Sequence, residues 1–160
     1  MLSVRAIGDE RLALEGVDPA VGYCLSRVPE LLGRRESAGT RDRLHPDAMP
    51  NDPARNAEWH RLMDSELRHL FETARVTFAA DLAAADLQSG VIEFPVKHLK
   101  AWMSAVNQAR IVLAEQHQFE AIDMQRTEFT PNVPRDVALL QVQVLGYVMQ
   151  VLVEHATEGA

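Results

Sequence analysis

The sequence contains one Glu-x-x-His pair, Glu66 and His69, at a spacing that di-iron carboxylate proteins use on the helices of a bundle. Such a site needs two of these pairs and two further glutamates, and the sequence has no second pair. Helical phase also turns His69 away from the apolar stripe of its own helix, towards solvent. We therefore predict no metal site, and we interpret the pair as part of a solvated face.

Nucleophilic chemistry has no better support. Cys24 is the one cysteine, so neither an intrachain disulfide nor a thiolate zinc cluster can form. Its neighbours at helical spacing are apolar (Val21, Leu25 and Val28), which is typical of an inert core cysteine. The sequence has no Gly-x-Ser-x-Gly, no His-Glu-x-x-His and no phosphate-binding glycine loop. We predict neither a catalytic residue nor a cofactor.

Arg110 is the unusual charged residue, because it falls inside the apolar stripe of a helix, with Asn107 on the border of that stripe. The stripe consists of Leu99, Trp102, Met103, Val106 and Leu113. A guanidinium cannot lose its proton, so a buried one needs carboxylate or carbonyl partners. The nearest acids on another long helix flank its apolar face and are Glu58, Asp64 and Glu66. We expect a structural ion pair between Arg110 and one of these acids.

Two other interpretations of Arg110 remain open. Its aliphatic stem could lie in the core while its charged head reaches water. Alternatively, Arg110 and Asn107 could anchor a carboxylate or phosphate from outside, which would require an open pocket beside them.

The elements that position these residues follow from start signals and periodicity. Asp18-Pro19 and Asp52-Pro53 each place a capping aspartate before a proline, which favours a helix start. Alternating residues around Gly8 predict a hairpin. The predicted elements are a hairpin at 4–15 and helices at about 19–32, 53–87, 95–117 and 134–156, with Val91 to Phe94 as a possible third strand. The fold class is mainly α: four to five helices in a bundle-like single domain, 1–160, with a small β-hairpin.

Two segments leave questions open. Residues 33–53 mix charges, glycines and prolines, which predicts one long loop. The long helix that follows could restart at residues 63–66, where a capping sequence occurs.

The last predicted helix is apolar nearly all round. Its span contains three glutamines and ends in Glu154 and His155, which favours a core helix over a membrane span. Few other helices are available to cover it, so we expect part of its surface to form the interface of a homodimer. Complete burial within one chain is the alternative.

Composition narrows the classes of partner. The chain has 160 residues and a formal net charge of −7. Because that charge repels phosphate backbones, we expect no nucleic-acid partner. We also expect no membrane partner and a cytoplasmic location.

Two stretches resemble a bacterial family, the domain-of-unknown-function family number two thousand and seventeen. The first, "RLHPDAMPNDPARNAEWHRLMDSELRH", carries the resemblance through Leu44, Pro46, Asp52, Pro53, Glu58, Trp59, Arg61, Leu62 and Leu67. The second, "AWMSAVNQARIVL", carries it through Ala101, Trp102, Ala105, Asn107, Arg110 and Leu113. The resemblance implies no known activity. Members are typically encoded near the adaptor of the Clp protease, which suggests a role around protein turnover.

Two functional hypotheses follow. The first is a non-catalytic interaction or regulatory module that uses Trp59, Arg61 and Arg68, or the loop at 34–53, as its contact surface. The alternative is a small-ligand-binding protein or enzyme with a pocket around Asn107 and Arg110.

Overall fold

The three β-strands form one antiparallel sheet in the computed structural model, which describes residues 1–33 and 37–159. Strands β1 (Ser3–Ile7) and β2 (Arg11–Glu15) make the predicted hairpin. Strand β3 (Val91–Pro95) pairs with β2, so the possible third strand is confirmed. The central strand contributes Leu12 and Leu14 to the core.

Within the described residues the chain forms five α-helices. They are α1 (Pro19–Leu32), α2 (Ala38–Leu44), α3 (Pro53–Ala84), α4 (Leu99–His117) and α5 (Pro134–Glu158). Asp18 and Asp52 cap α1 and α3 by accepting hydrogen bonds from the backbone amides of Val21 and Arg55. The prediction of a mainly α domain with four to five helices and a small sheet is therefore confirmed.

The connection at 33–53 differs from the predicted loop. Helix α2 lies inside it, capped by the Ser37 side chain, which accepts from the amide of Thr40. Residues 34–36 of this connection lie outside the described residues. Helix α1 continues through Pro29, which lacks the N–H that would donate to the carbonyl of Leu25.

Helix α4 is the centre of the domain and packs against α5, α3 and α1. Its Trp102 is fully buried, stacked on Phe94 at 4.5 Å between ring centroids and tilted against Phe78 at 4.4 Å. The indole Nε1 donates to Asp81 of α3 at 2.9 Å, and His98 bonds the same carboxylate oxygen at 2.8 Å. Burial of the indole therefore leaves its N–H paired.

Helix α5 is, by length and composition, long and apolar enough to cross a membrane. Its side chains nevertheless contribute heavily to the core, with Leu139, Leu145, Val148 and Leu152 fully buried. Apolar residues on its other side are exposed, among them Leu140 and Tyr147. The apolar character of α5 is thus explained in part by packing within one chain.

Helix α3 runs unbroken for 32 residues, so it does not restart at 63–66. At 1.5 Å per residue it is about 48 Å long, whereas the 19-residue α4 beside it is about 28 Å long. The buried residues of α3 are Ala74, Phe78 and Leu82, all in its second half. Only the second half of the apolar stripe of α3 is therefore buried in the core, and the first half lies outside it.

Candidate functional site

The exposed first half of α3 and the segment before it form one unit, residues 45–70, which we call the α3 arm. Residues 45–52 are tied to the helix by hydrogen bonds. The Trp59 indole donates to the carbonyl of Pro46 at 3.2 Å, and the Asn56 amide donates to Asp47 at 2.9 Å. The amide of Met49 donates to the Asn56 side-chain oxygen at 3.2 Å. These bonds cover Trp59 on one side, so it is half-buried.

Histidines and aspartates hold the same unit together. The His60 ring lies between Asp64 at 2.9 Å and Asp47 at 2.7 Å. Hydrogen bonds to Asp47 and then Asp64 raise the pKa of His60, opposed in part by desolvation. His45 is buried, with its ring edge-on to Phe71 at 5.7 Å between centroids and its Nδ1 3.3 Å from Asp64. Residues 45–52 are therefore packed against the first half of α3 within the arm.

Two large leucines are exposed on the outer side of the arm, together with Glu66 and His69. Leu62 and Leu70 are 59% and 56% exposed, and none of residues 53–70 is buried. Both leucines belong to the apolar stripe of α3, and the structure leaves each of them largely in water rather than in the core. Leu62 and Leu70 are therefore the candidate contact residues of the arm, since exposed apolar surface can mark a site of interaction.

The predicted contact residues do not form one patch. Trp59 and Arg61 are two positions apart, which separates their side chains by about 200° around the helix. Arg61 pairs with Glu58 on its own helix. Arg68 is exposed on the same side as Arg61, away from Leu70. The apolar side and the arginine side of the arm are thus different surfaces.

The predicted ion pair of Arg110 with Glu58, Asp64 or Glu66 was wrong. Arg110 faces α5, where its Nε donates to the carbonyl of Val142 at 3.3 Å. Glu58 pairs with Arg61, and Asp64 with His60. All three acids lie on the α3 arm, and Glu66 is exposed there.

An open cavity lies beside Arg110, as the ligand-anchor interpretation requires. Its volume is about 250 Å³, and it lies between α4, α5 and the segment that joins them. The residues that line it are Arg43, Asn107, Arg110, Ile111, Ala114, Phe119, Glu120, Ala121, Met124 and Val142. Asn107 is exposed at this cavity. Arg110 is half-buried, and desolvation and the neighbouring charge of Arg43 lower its pKa from the usual value.

Gly146 of α5 explains how the guanidinium fits. A Cβ at this position would lie 3.2 Å from Nη2 and 3.3 Å from Cζ of Arg110. The glycine thus makes room for the guanidinium against the backbone of α5. The sequence signal for the contact between Arg110 and α5 is this glycine in the middle of an apolar helix, whereas the pattern of α4 carries no sign of it.

The remaining chemical candidates are structural. Burial raises the pKa of the Cys24 thiol to about 11, which makes it a poor nucleophile at neutral pH. His69 is exposed, as helical phase predicted. Across residues 1–33 and 37–159, no group of three or more His, Cys, Asp and Glu side chains is arranged to hold a metal ion.

Comparisons with known proteins give one match. Neither the curated proteins nor the solved structures contain a significant match to the chain. A family model described as a domain of unknown function, DUF2017, matches residues 4–156 and includes both stretches that carry the resemblance. The chain therefore belongs to the DUF2017 family.

Proposed function

We propose that this protein is a non-catalytic interaction module whose α3 arm binds a protein partner. The observation that carries the proposal is the exposure of Leu62 and Leu70 on a helix segment in which no residue is buried. Because about three-fifths of each leucine is exposed, leaving it in water forgoes about 1–2 kcal/mol that burial would contribute. A partner that covers them recovers this free energy.

The shape of the arm indicates the kind of partner. An amphipathic helix that presents apolar residues on one side fits a hydrophobic groove. The hydrogen bonds of residues 45–52 hold the arm in place before binding, so little ordering entropy is lost on association. The family resemblance makes the adaptor of the Clp protease the first partner to test, in the cytoplasm.

A homodimer through α5 is a second proposal, supported by a different surface. Leu140, Val144 and Tyr147 follow one another at helical spacing, and Leu140 and Tyr147 are 41% and 42% exposed. Sedimentation equilibrium of the intact protein is expected to show a dimer that a Leu140→Ser, Tyr147→Ser double variant dissociates. A wild-type monomer at micromolar concentration would contradict this proposal.

The arm is tested by comparing three proteins as baits in cytosol of the native host. The wild type is compared with a Leu62→Ser, Leu70→Ser double variant. The matched control is Val76→Ser, because Val76 is 55% exposed on the same helix but outside the arm. We expect the wild type and the control to enrich the same partner and the double variant to lose it. Equal recovery by all three baits would contradict a role for the arm.

A further inference from the structure

We propose that the cavity between α4 and α5 binds a small organic monocarboxylate, with Arg110 as its anchor. This site is separate from the α3 arm and does not depend on the function proposed for it. The proposal stands on a guanidinium that contacts no carboxylate among the described residues, the space in front of it and the charge of the cavity walls.

The charge of Arg110 lacks a carboxylate partner among the described residues. Its one hydrogen bond to them uses Nε, which donates to the carbonyl of Val142. The two Nη groups carry four further N–H donors, and no described residue accepts from them. A half-buried guanidinium favours charged acceptors, and the paired Nη groups present the parallel donors that a carboxylate accepts.

Helix α5 keeps the guanidinium in this position. Gly146 brings backbone rather than a side chain against it, with the hypothetical Cβ only 3.2–3.4 Å from three guanidinium atoms. A central glycine costs a helix about 1 kcal/mol relative to alanine. Because a Cβ at this position would crowd the guanidinium, glycine allows Arg110 to approach α5, and the hydrogen bond to Val142 holds it at the cavity wall.

The charges around the cavity match a monoanion better than a dianion. Arg43, the second cation of the cavity wall, shares its charge with Glu115 at 3.4 Å. Glu120 also lines the cavity and contributes a negative charge. The charges of Arg43, Arg110, Glu115 and Glu120 sum to zero, so a monocarboxylate adds one net negative charge to this region, whereas a phosphate dianion adds two.

Apart from Asn107, the rest of the wall is apolar and sets the size of the ligand. Ile111, Phe119, Met124 and Val142 line the cavity. Its volume of about 250 Å³ is roughly eight times the ~30 Å³ that one water molecule occupies in the liquid. A carboxylate with a short alkyl chain or a single ring fits these walls, with its charged end on Arg110.

The test is an amide NMR titration of the full-length protein with three probes. Sodium hexanoate supplies the charge and the apolar tail, hexanamide supplies the tail alone, and inorganic phosphate supplies the charge alone. We expect saturable hexanoate binding with a Kd of about 1 mM. The Ile111 and Gly146 signals should shift, and hexanamide and phosphate should bind at least about tenfold more weakly.

Variants assign the anchor. Arg110→Gln is expected to weaken hexanoate binding about tenfold or more and to leave hexanamide unchanged. If that variant does not fold, the comparison of hexanoate with hexanamide on the wild type still decides the proposal. Equal binding of hexanoate and hexanamide, tighter binding of phosphate, or no saturable shift would each overturn it. The Leu62→Ser, Leu70→Ser variant should bind hexanoate normally, so this site and the arm succeed or fail separately.

Discussion

Alanine substitutions along α3 should divide the helix into two parts with very different effects on stability. Phe78 is fully buried against Trp102, so Phe78→Ala is expected to cost about 3–5 kcal/mol. Leu62 is 59% exposed. With about two-fifths of the leucine covered, Leu62→Ala should cost at most about 1 kcal/mol, which the higher helix propensity of alanine partly offsets.

The assay is urea unfolding of both variants and the wild type, followed by far-UV circular dichroism. Leu70→Ala is the second test position, since Leu70 is 56% exposed and lies closer to the core. A cost of about 3 kcal/mol at Leu62 or Leu70 would refute the projecting arm, because it would mean that the leucine is buried in the folded protein. Repeating the experiment at a second protein concentration separates burial within one chain from burial in a dimer.

Three further predictions concern polar contacts. The pKa of His60 is raised in the folded state, so its contribution to stability is full below about pH 6.5 and is lost as the pH rises through the folded value. Amide hydrogen exchange in the arm, corrected for intrinsic rates, should therefore be slower near pH 6 than near pH 8. The His60→Gln variant should not show this difference. Hydrogen bonds from Arg126 and the Thr130 amide lower the pKa of Asp136 to about 2. The stabilising effect of Asp136 is therefore present above about pH 4 and is lost as the pH falls towards 2. In acid unfolding, the Asp136→Asn variant should not show this loss of stability between about pH 4 and pH 2. Asp81→Ala removes the acceptor of the buried Trp102 indole and should cost about 1–3 kcal/mol in urea unfolding, with a change in tryptophan fluorescence.

The sequence predicted the elements whose signals are local. Asp-Pro pairs marked the starts of α1 and α3, and alternating residues marked the hairpin, because capping and pleating depend on neighbouring residues. Helix α2 was missed because seven residues show too little periodicity to stand out between prolines and glycines. Its cap, Ser37, was the available signal.

Features that depend on which elements meet could not be predicted in the same way. The stripe on α3 looks continuous in sequence, yet its buried residues are Ala74, Phe78 and Leu82, all in the second half of the helix. Arg110 was assigned to the wrong facing helix because a stripe position specifies that a residue points inwards and not what it meets. The open cavity beside Arg110 forms between α4, α5 and the segment that joins them. The sequence could therefore suggest that Arg110 anchors a ligand, but it could not favour this interpretation over an ion pair.

Photo-crosslinking in living cells of the native host tests the role of the α3 arm most directly. A photoreactive phenylalanine analogue is placed at position 62, 70 or 68 in the full-length protein. Arg68 is the matched position because it is exposed on the arginine side of the same helix segment. The account predicts crosslinks from positions 62 and 70 to one partner protein and far weaker ones from position 68. Equal crosslinking at all three positions, or none from 62 and 70, would contradict it.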